Sequence, residues 1–431
     1  MNILAKVCAI AILVSCPLLH TVQADVQPGD LIDKSNYQKI EGLVPDYILE
    51  WVRNGDLTMK IGRLAYDPKV FWSKEILDTW KANIQRYAID EHNGIIDKTT
   101  GKPAHGIKGL PFPEPDPADP KMPVMLMWNK LIIENIIQGN LQENQFWLSV
   151  TRRGLEKTVE MENLIYVCDS AKSPYEWANL SVFRQPFNMA GTGTLINKAL
   201  YPLDKGIQYG YAPELRRLKR LSDKMSGCDT HFGYDNAEDD TWAGGPKSAI
   251  EDGVYRFIGE RDAVIPYFSD SPTLVEWNQK GELEYGHAKT GIRLNAGFET
   301  PGWTGAPWHI TNIIWVKTRV YVIEVRSTDP NYAYGPCEGW IEMGTFSHSY
   351  KRVTDPNGKL WKGSYMLNQG FGSRDGTFGM MDNFSYVIVD MRRDHGSTFP
   401  FSYREGGYKK IMVKDMNEKL FTPDGFLKYA R

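Results

Sequence analysis

The spacing of apolar side chains changes character along this chain. Before residue 140 it is helical in places, and beyond it the pattern is that of strands. Ser35 to Asn54 predicts a helix with an early break, in which Pro45 opens the second part and Gly55 closes it. Ile48, Leu49, Trp51 and Val52 give that helix an apolar side. Glu75 to Arg86 predicts a second helix. Asn93-Gly94 and Thr100-Gly101 then mark turns between short apolar runs, and Pro111, Pro113, Pro115, Pro117, Pro120 and Pro123 predict an extended crossing segment. Met122 to Ile137 resumes the helical period. Met125, Leu126, Ile132, Ile133, Ile136 and Ile137 share a wide apolar side, with Asn129, Lys130 and Glu134 opposite. Such a segment is either a core helix or a lid over an apolar groove.

From Gln145 the apolar runs are short and rich in Val, Ile, Tyr, Trp and Thr. They include Phe146 to Arg152, Leu164 to Cys168, Val254 to Ile258, Ile310 to Val316, Val320 to Val325, Trp340 to Val353 and Phe384 to Met391. Turns separate them, most clearly Asp355-Pro356-Asn357-Gly358. Helices of convincing length are lacking between the runs, which argues against a parallel βαβ sheet and for an antiparallel one. Thr422-Pro423 predicts the start of a short C-terminal helix.

The first residues have a different purpose. Lys6, the apolar run Val7 to Leu19 and Val22-Gln23-Ala24 form a secretory signal over residues 1–24. Leu13-Val14-Ser15-Cys16 also has the form of a lipobox, so processing ends either at Ala24 or at a lipidated Cys16. The organisation expected is therefore a signal peptide (1–24), a helical and proline-rich segment (25–140) and a curved sheet (141–431), the last two forming one unit. The longest later apolar segment, Met122 to Ile137, is interrupted by polar residues and does not predict a membrane span.

Composition narrows the function. A net charge of −3 with mixed signs leaves no electrostatic footprint for nucleic acid. Aromatic residues make up 12%, including 13 Trp, which is material for thick sheet packing or for lining a cavity. Beyond the signal, Cys168, Cys228 and Cys337 allow at most one disulfide and offer no zinc-ligand spacing.

Catalytic signatures are missing: there is no G-x-S-x-G, S-x-x-K or H-E-x-x-H, and Gly191-Thr192-Gly193-Thr194 is a turn signal rather than a phosphate loop. The densest polar cluster runs from Cys228-Asp229-Thr230-His231 to Asp235, Glu238, Asp239 and Asp240. A solvated acidic loop is the ordinary expectation. Asp235, Asp239 and Asp240 are candidates for a hard cation, and the same acids with His231 could serve a hydrolase. Arg216, Arg217, Lys219 and Arg220 form a basic run. On a strand, Arg216 and Arg220 would share one face and Arg217 and Lys219 the other, which predicts a salt-bridged surface or, on the sharper reading, one face toward an anionic headgroup or a partner's carboxylates. His287, His309, His348 and His395 are scattered and read as local hydrogen-bonding residues.

Several separated motifs stand in an order with a known counterpart. They are Leu43 to Gly55 with Pro45 and Trp51; Gly109-Leu110-Pro111-Phe112-Pro113; Asp119-Pro120; Trp128-Asn129; and Tyr211 to Leu221. Asp239-Asp240, Trp315 to Glu324, Asp355 to Trp361, and Asp390 with His395 follow. In these the chain resembles the bacterial domain-of-unknown-function family 1329, whose members are labelled as candidate outer-membrane lipoprotein-sorting proteins. The resemblance spans nearly the whole chain after the signal. It implies a LolA/LolB-like fold, a mainly β (α+β) unclosed barrel formed by one strongly curved antiparallel sheet with helices on its concave face. Cys228 departs from the small hydroxyl residue expected there.

The resemblance supplies no catalytic residues and implies no cofactor. It implies a periplasmic, non-enzymatic carrier of lipids, lipoproteins or other hydrophobic molecules, working with an inner-membrane exporter or an outer-membrane partner. An outer-membrane lipoprotein held through Cys16 is the alternative location. Met125, Trp128, Ile132, Ile136, Arg216 and Arg220 are the candidate ligand-binding residues. The alternatives in function are the exported hydrolase using the Asp229–Asp240 region and a structural adaptor of an envelope complex.

Overall fold

A computed structural model describes residues 25–204, 206–221, 238–241, 250–286, 293–374, 376–399 and 409–431. The signal segment, with Cys16 and Ala24, lies outside the described residues. So do Cys228, Asp229, His231, Asp235 and His287.

The fold is mainly β, with 41% strand against 17% helix, and most of the strands lie in one large curved sheet that is not closed as a barrel. The first half of its ladder is a meander of β1 (Leu141–Thr151), β2 (Gly154–Val167), β3 (Trp177–Gln185), β4 (Gly193–Lys198), β5 (Ile207–Ala212) and β6 (Arg217–Arg220). The second half begins with the long antiparallel partners β7 (Gly253–Tyr267) and β8 (Ile314–Ser327). It continues through β9 (Cys337–Glu342), β10 (His348–Thr354), β11 (Leu360–Ser373), β12 (Gly379–Asp390) and β13 (His395–Phe399). The halves join where β13 pairs antiparallel with β1, Thr398 opposite Leu148. In space the order is therefore β7 to β13, then β1 to β6. Curvature is strong enough that β7, four places from β11 in the ladder, comes back beside it at Tyr267 and Asn368.

The segment before residue 140 packs on this sheet and adds to it. Met59–Gly62 runs parallel to β8, with Ile61 opposite Trp315. Helix α1 (Asp46–Arg53) follows Pro45, and its buried residues Tyr47, Ile48, Trp51 and Val52 recur at the helical period. Gly55, at φ +81°, takes the left-handed conformation that ends it. Gly363 on β11 lacks a side chain because Tyr47 occupies the space: a Cβ there would lie 2.5 Å from the Tyr47 ring. Tyr47 donates its hydroxyl to the Ser364 carbonyl at 2.7 Å.

Helix α2 (Lys74–Asn83) and a small sheet of Tyr87–Ile89, Ile95–Asp97 and Lys102–Pro103 follow. The proline-rich stretch is a series of turns rather than one extended crossing. Asn129 replaces secondary structure there, accepting from the Phe112 N–H at 3.1 Å and donating to the Phe112 carbonyl at 2.7 Å. Helix α3 (Met122–Ile132) continues as one wide π turn, Ile133–Ile137. Helix α4 (Pro423–Ala430) starts where Thr422-Pro423 predicts, Thr422 Oγ1 accepting from the Gly425 N–H at 3.1 Å. Among the described residues, no helix is long and apolar enough to cross a membrane.

Two expectations are corrected by the packing. Helix α3 has no solvated polar side at its centre: Asn129 and Lys130 are 0% and 2% exposed. The acidic loop is not solvated at Asp239 and Asp240, which are 0% and 1% exposed.

Candidate functional site

Helices α1 and α3 cover the sheet with a continuous apolar layer. Leu126, Met127, Leu131 and Ile132 of α3 belong to the same core as Tyr47, Ile48, Trp51 and Val52 of α1, and as Val264, Tyr267, Val316 and Tyr365 of the sheet. Met125 and Ile136 pack against that core from partly buried positions, while Trp128 and Ile132 are buried. Trp128 donates its indole N–H to the Asn93 carbonyl at 2.7 Å. The four apolar candidates thus sit together on α3 and its π turn, as part of the cover over the sheet.

One polar chain crosses this layer. Lys130 Nζ reaches Asn383 Oδ1 on β12 at 2.7 Å and Glu134 Oε1 at 2.9 Å. Asn383 donates to Asn368 Oδ1 at 2.7 Å, and Asn368 donates to Ser349 Oγ at 3.2 Å. Gln138, just past the π turn, donates to Asp382 at 2.8 Å. Apolar area gives the cover its adhesion, and these directional bonds fix its position.

Beside the cover lies a cleft of about 510 Å³. Tyr267 and Val316, both members of the main core, form its apolar floor. Three cations ring it: Arg63, Lys69 and Lys317. Arg63 and Lys69 make no ion pair among the described residues, and Lys317 has Asp262 at 4.0 Å across exposed surface. The two acids at the cleft are already engaged. Asp67 accepts from the Lys69 N–H at 3.0 Å. Glu342 accepts from the Gly344 and Thr345 N–H groups at 2.8 and 2.7 Å and from the Thr345 and Thr318 hydroxyls, both at 2.9 Å. Burial still pushes the Glu342 carboxyl above its ordinary range, despite those four donors. A site with cationic walls, occupied acids and an apolar floor suits an anionic, amphiphilic molecule. The sequence gives little sign of it, because its cations come from a loop after Met59–Gly62 and from β8. Their apposition depends on the parallel pairing of those strands.

Arg216 and Arg220 do not line this cleft. Arg216 is in the turn between β5 and β6, at φ +50°, and Arg220 ends β6. Strand alternation therefore does not place them on one face. Both are exposed.

Asp239 and Asp240 close over the side of β10 and β11 that faces away from Tyr350 and Tyr365. Lys362 Nζ lies 2.7 Å from Asp240 Oδ2 and 2.7 Å from the Tyr334 hydroxyl, which itself donates to Asp240 at 2.8 Å. Tyr332 donates to the Asp239 carboxylate and Lys351 to the Asp239 carbonyl. Lysine ammonium and tyrosine hydroxyls thus occupy the oxygens expected to serve a cation or acid–base chemistry. Among the described residues, no cluster of three His, Cys, Asp or Glu could hold a metal.

One histidine differs from expectation. His309 is fully buried, and neither ring nitrogen has a hydrogen-bond partner. Trp51 holds it at a ring distance of 4.9 Å and Tyr365 stacks on it at 5.8 Å. Burial lowers its pKa to about 3. His395 meets Ser149 Oγ at 3.2 Å and Glu156 at 3.0 Å, both through Nε2, and Ser149 Oγ also lies 3.1 Å from Glu156. A hydrolytic triad needs the carboxylate on the other ring nitrogen. This triangle instead cross-links β1, β2 and β13. Neither Cys168 nor Cys337 is in a disulfide, and burial raises the Cys168 thiol to about 11.

The family model described as protein of unknown function (DUF1329) matches residues 31–426. The chain belongs to the DUF1329 family. No curated protein matches it. Among solved structures, a candidate outer membrane lipoprotein-sorting protein domain from Vibrio parahaemolyticus is 13% identical, with a TM-score of 0.44, covering 70% of this chain and 97% of its own. A DUF1329 family protein from Desulfovibrio piger is 11% identical, with a TM-score of 0.43 and coverage of 70% and 99%. A LolA superfamily protein from Nitrosomonas europaea is 13% identical, with a TM-score of 0.39 and coverage of 69% and 96%.

Proposed function

We propose that this DUF1329 protein is an exported carrier of amphiphiles: lipids, the acyl chains of lipoproteins or similar hydrophobic molecules. It binds and hands over its cargo and performs no chemistry on it. The observation that carries the reading is the continuity of the apolar layer under α3 with the floor of the cation-ringed cleft, at Tyr267 and Val316. The cargo's anionic end sits among Arg63, Lys69 and Lys317, and its apolar part takes the place of α3 contacts with the sheet.

The energetics favour such an exchange. Burying apolar area contributes roughly 25 cal/mol per Å² whichever molecule supplies the area. Replacing the apolar side of a helix by an acyl chain therefore leaves the hydrophobic term nearly unchanged. The cost of opening falls mainly on the polar chain through Lys130 and on Gln138–Asp382. Delivery needs no nucleotide site, since the next acceptor supplies apolar surface in turn. The working location is the periplasm after cleavage at Ala24, or the outer membrane if Cys16 is lipidated. An inner-membrane exporter or an outer-membrane acceptor is the expected partner.

The test is native purification from the cell envelope followed by lipid mass spectrometry, with a displacement titration of a fluorescent fatty-acid analogue. A stoichiometric amphiphile and saturable displacement are expected. A lipid-free protein that binds no analogue would overturn the reading.

A further inference from the structure

Large apolar side chains on a water-facing turn are unfavourable unless something covers them, and two adjacent turns of the first meander carry them. Phe187, between β3 and β4, is 96% exposed, and Leu215, between β5 and β6, is 61% exposed. The two turns touch. A Cβ built on Gly191 in the first would lie 3.0 Å from Pro213 Cγ in the second. The second turn and the strand after it carry Arg216, Arg217, Lys219 and Arg220, all exposed and none with an ion pair among the described residues. Glu214 is the one acid among residues 213–220.

We propose that these paired hairpin tips dock on an anionic lipid bilayer, Phe187 and Leu215 entering the interface while the four cations face the headgroups. A bilayer is favoured over a protein because the side chains protrude from turns rather than line a groove. A fluid surface accepts a protruding ring without a matching pocket, and the unpaired positive charge complements anionic headgroups. Phenylalanine and leucine are side chains that interfacial segments bury on their apolar side. This docking stands apart from the carrier reading, since any envelope protein could use it.

The experiment is flotation of the full mature chain with vesicles of phosphatidylcholine alone and of phosphatidylcholine mixed with phosphatidylglycerol. Binding is expected with the anionic vesicles, and it should weaken as salt is raised. Phe187→Ser with Leu215→Ser should lower the partition by roughly tenfold or more. Arg216→Glu with Arg220→Glu should lower it by roughly fivefold for each charge lost. Leu274→Ser, at a half-exposed leucine beside β11, should leave it unchanged. A thermal melt shows whether each variant is folded, and since all the changed side chains are exposed, unchanged melts are expected. Equal flotation with both vesicle types would overturn the proposal. So would folded tip variants that float like the parent, or capture of a protein by the tips without any vesicle binding. Loss of lipid cargo with retained flotation would count against the carrier reading alone.

Discussion

Lys130, in the middle of α3, donates to Asn383 on β12 at 2.7 Å while remaining 2% exposed. Its second partner, Glu134, is one turn further along the helix and 23% exposed. Removing the lysine leaves a carboxylate facing apolar surroundings, although water reaches part of it. Lys130→Met should therefore cost about 3 kcal/mol, the lower end for breaking a buried pair. Adding Glu134→Gln should restore part of that. Urea unfolding of the three proteins decides it. A Lys130→Met variant as stable as the parent would mean that the polar chain does not hold α3.

These bonds also mark what the sequence could and could not convey. The ends of α1 and α4 were legible because Pro45, Gly55, Thr422 and Pro423 act on neighbours within one turn. The β-rich half and its antiparallel character were legible from run length and residue type. Asn129 and Lys130 read as a polar helix side because their partners are distant: Phe112 is 17 residues away and Asn383 is 253. Asp240 read as solvated for the same reason, with Tyr334 94 and Lys362 122 residues away. Arg216 was misplaced because the turn runs through it and the strand starts one residue later, at Arg217. The cleft was illegible because none of its cations is part of a local motif.

His309 gives the fold a pH dependence with a definite sign. Its folded pKa, lowered to about 3, is below the ordinary value of 6.5 because burial disfavours the imidazolium. Above pH 6.5 the ring is neutral in both states and costs nothing. As pH falls from 6.5 toward 3, the unfolded chain takes up a proton that the folded chain refuses. Stability should fall by about 1.4 kcal/mol per pH unit across that window. His309→Phe should flatten this slope, whatever its effect on stability at pH 7. Chemical denaturation at several pH values, comparing slopes rather than absolute stabilities, is the measurement. Parallel slopes for the two proteins would show that His309 is not the group responsible.

The Asp240–Lys362 pair, at 2.7 Å with both residues almost fully buried, tests whether the 238–241 segment is structural. Lys362→Met alone takes the ammonium from a buried carboxylate to which the Tyr334 hydroxyl still donates, and should cost about 3–5 kcal/mol. Lys362→Met with Asp240→Asn removes both charges and should recover most of that loss. The expected coupling between the two changes exceeds about 1 kcal/mol. Additive effects in a double-mutant cycle would place the segment outside the cooperative fold and reopen a chemical role for its acids.

The cleft makes the carrier reading specific about headgroup charge. Arg63 and Lys69 face it without an ion pair among the described residues, so reversing both changes the local charge without breaking a bridge. Each is exposed, so screening limits its effect to the range of surface pairs, up to about 1 kcal/mol. Arg63→Glu with Lys69→Glu should then weaken an anionic fatty-acid analogue by roughly tenfold and leave an uncharged analogue of the same chain length unaffected. The difference between the two ligands should shrink as ionic strength rises, because the Debye length falls from about 10 Å at 0.1 M to about 3 Å at 1 M. Equal loss of both ligands would indicate damage to the apolar floor at Tyr267 and Val316 instead. Equal retention would remove the cleft from the binding path while leaving the layer under α3 as the place where an acyl chain is held.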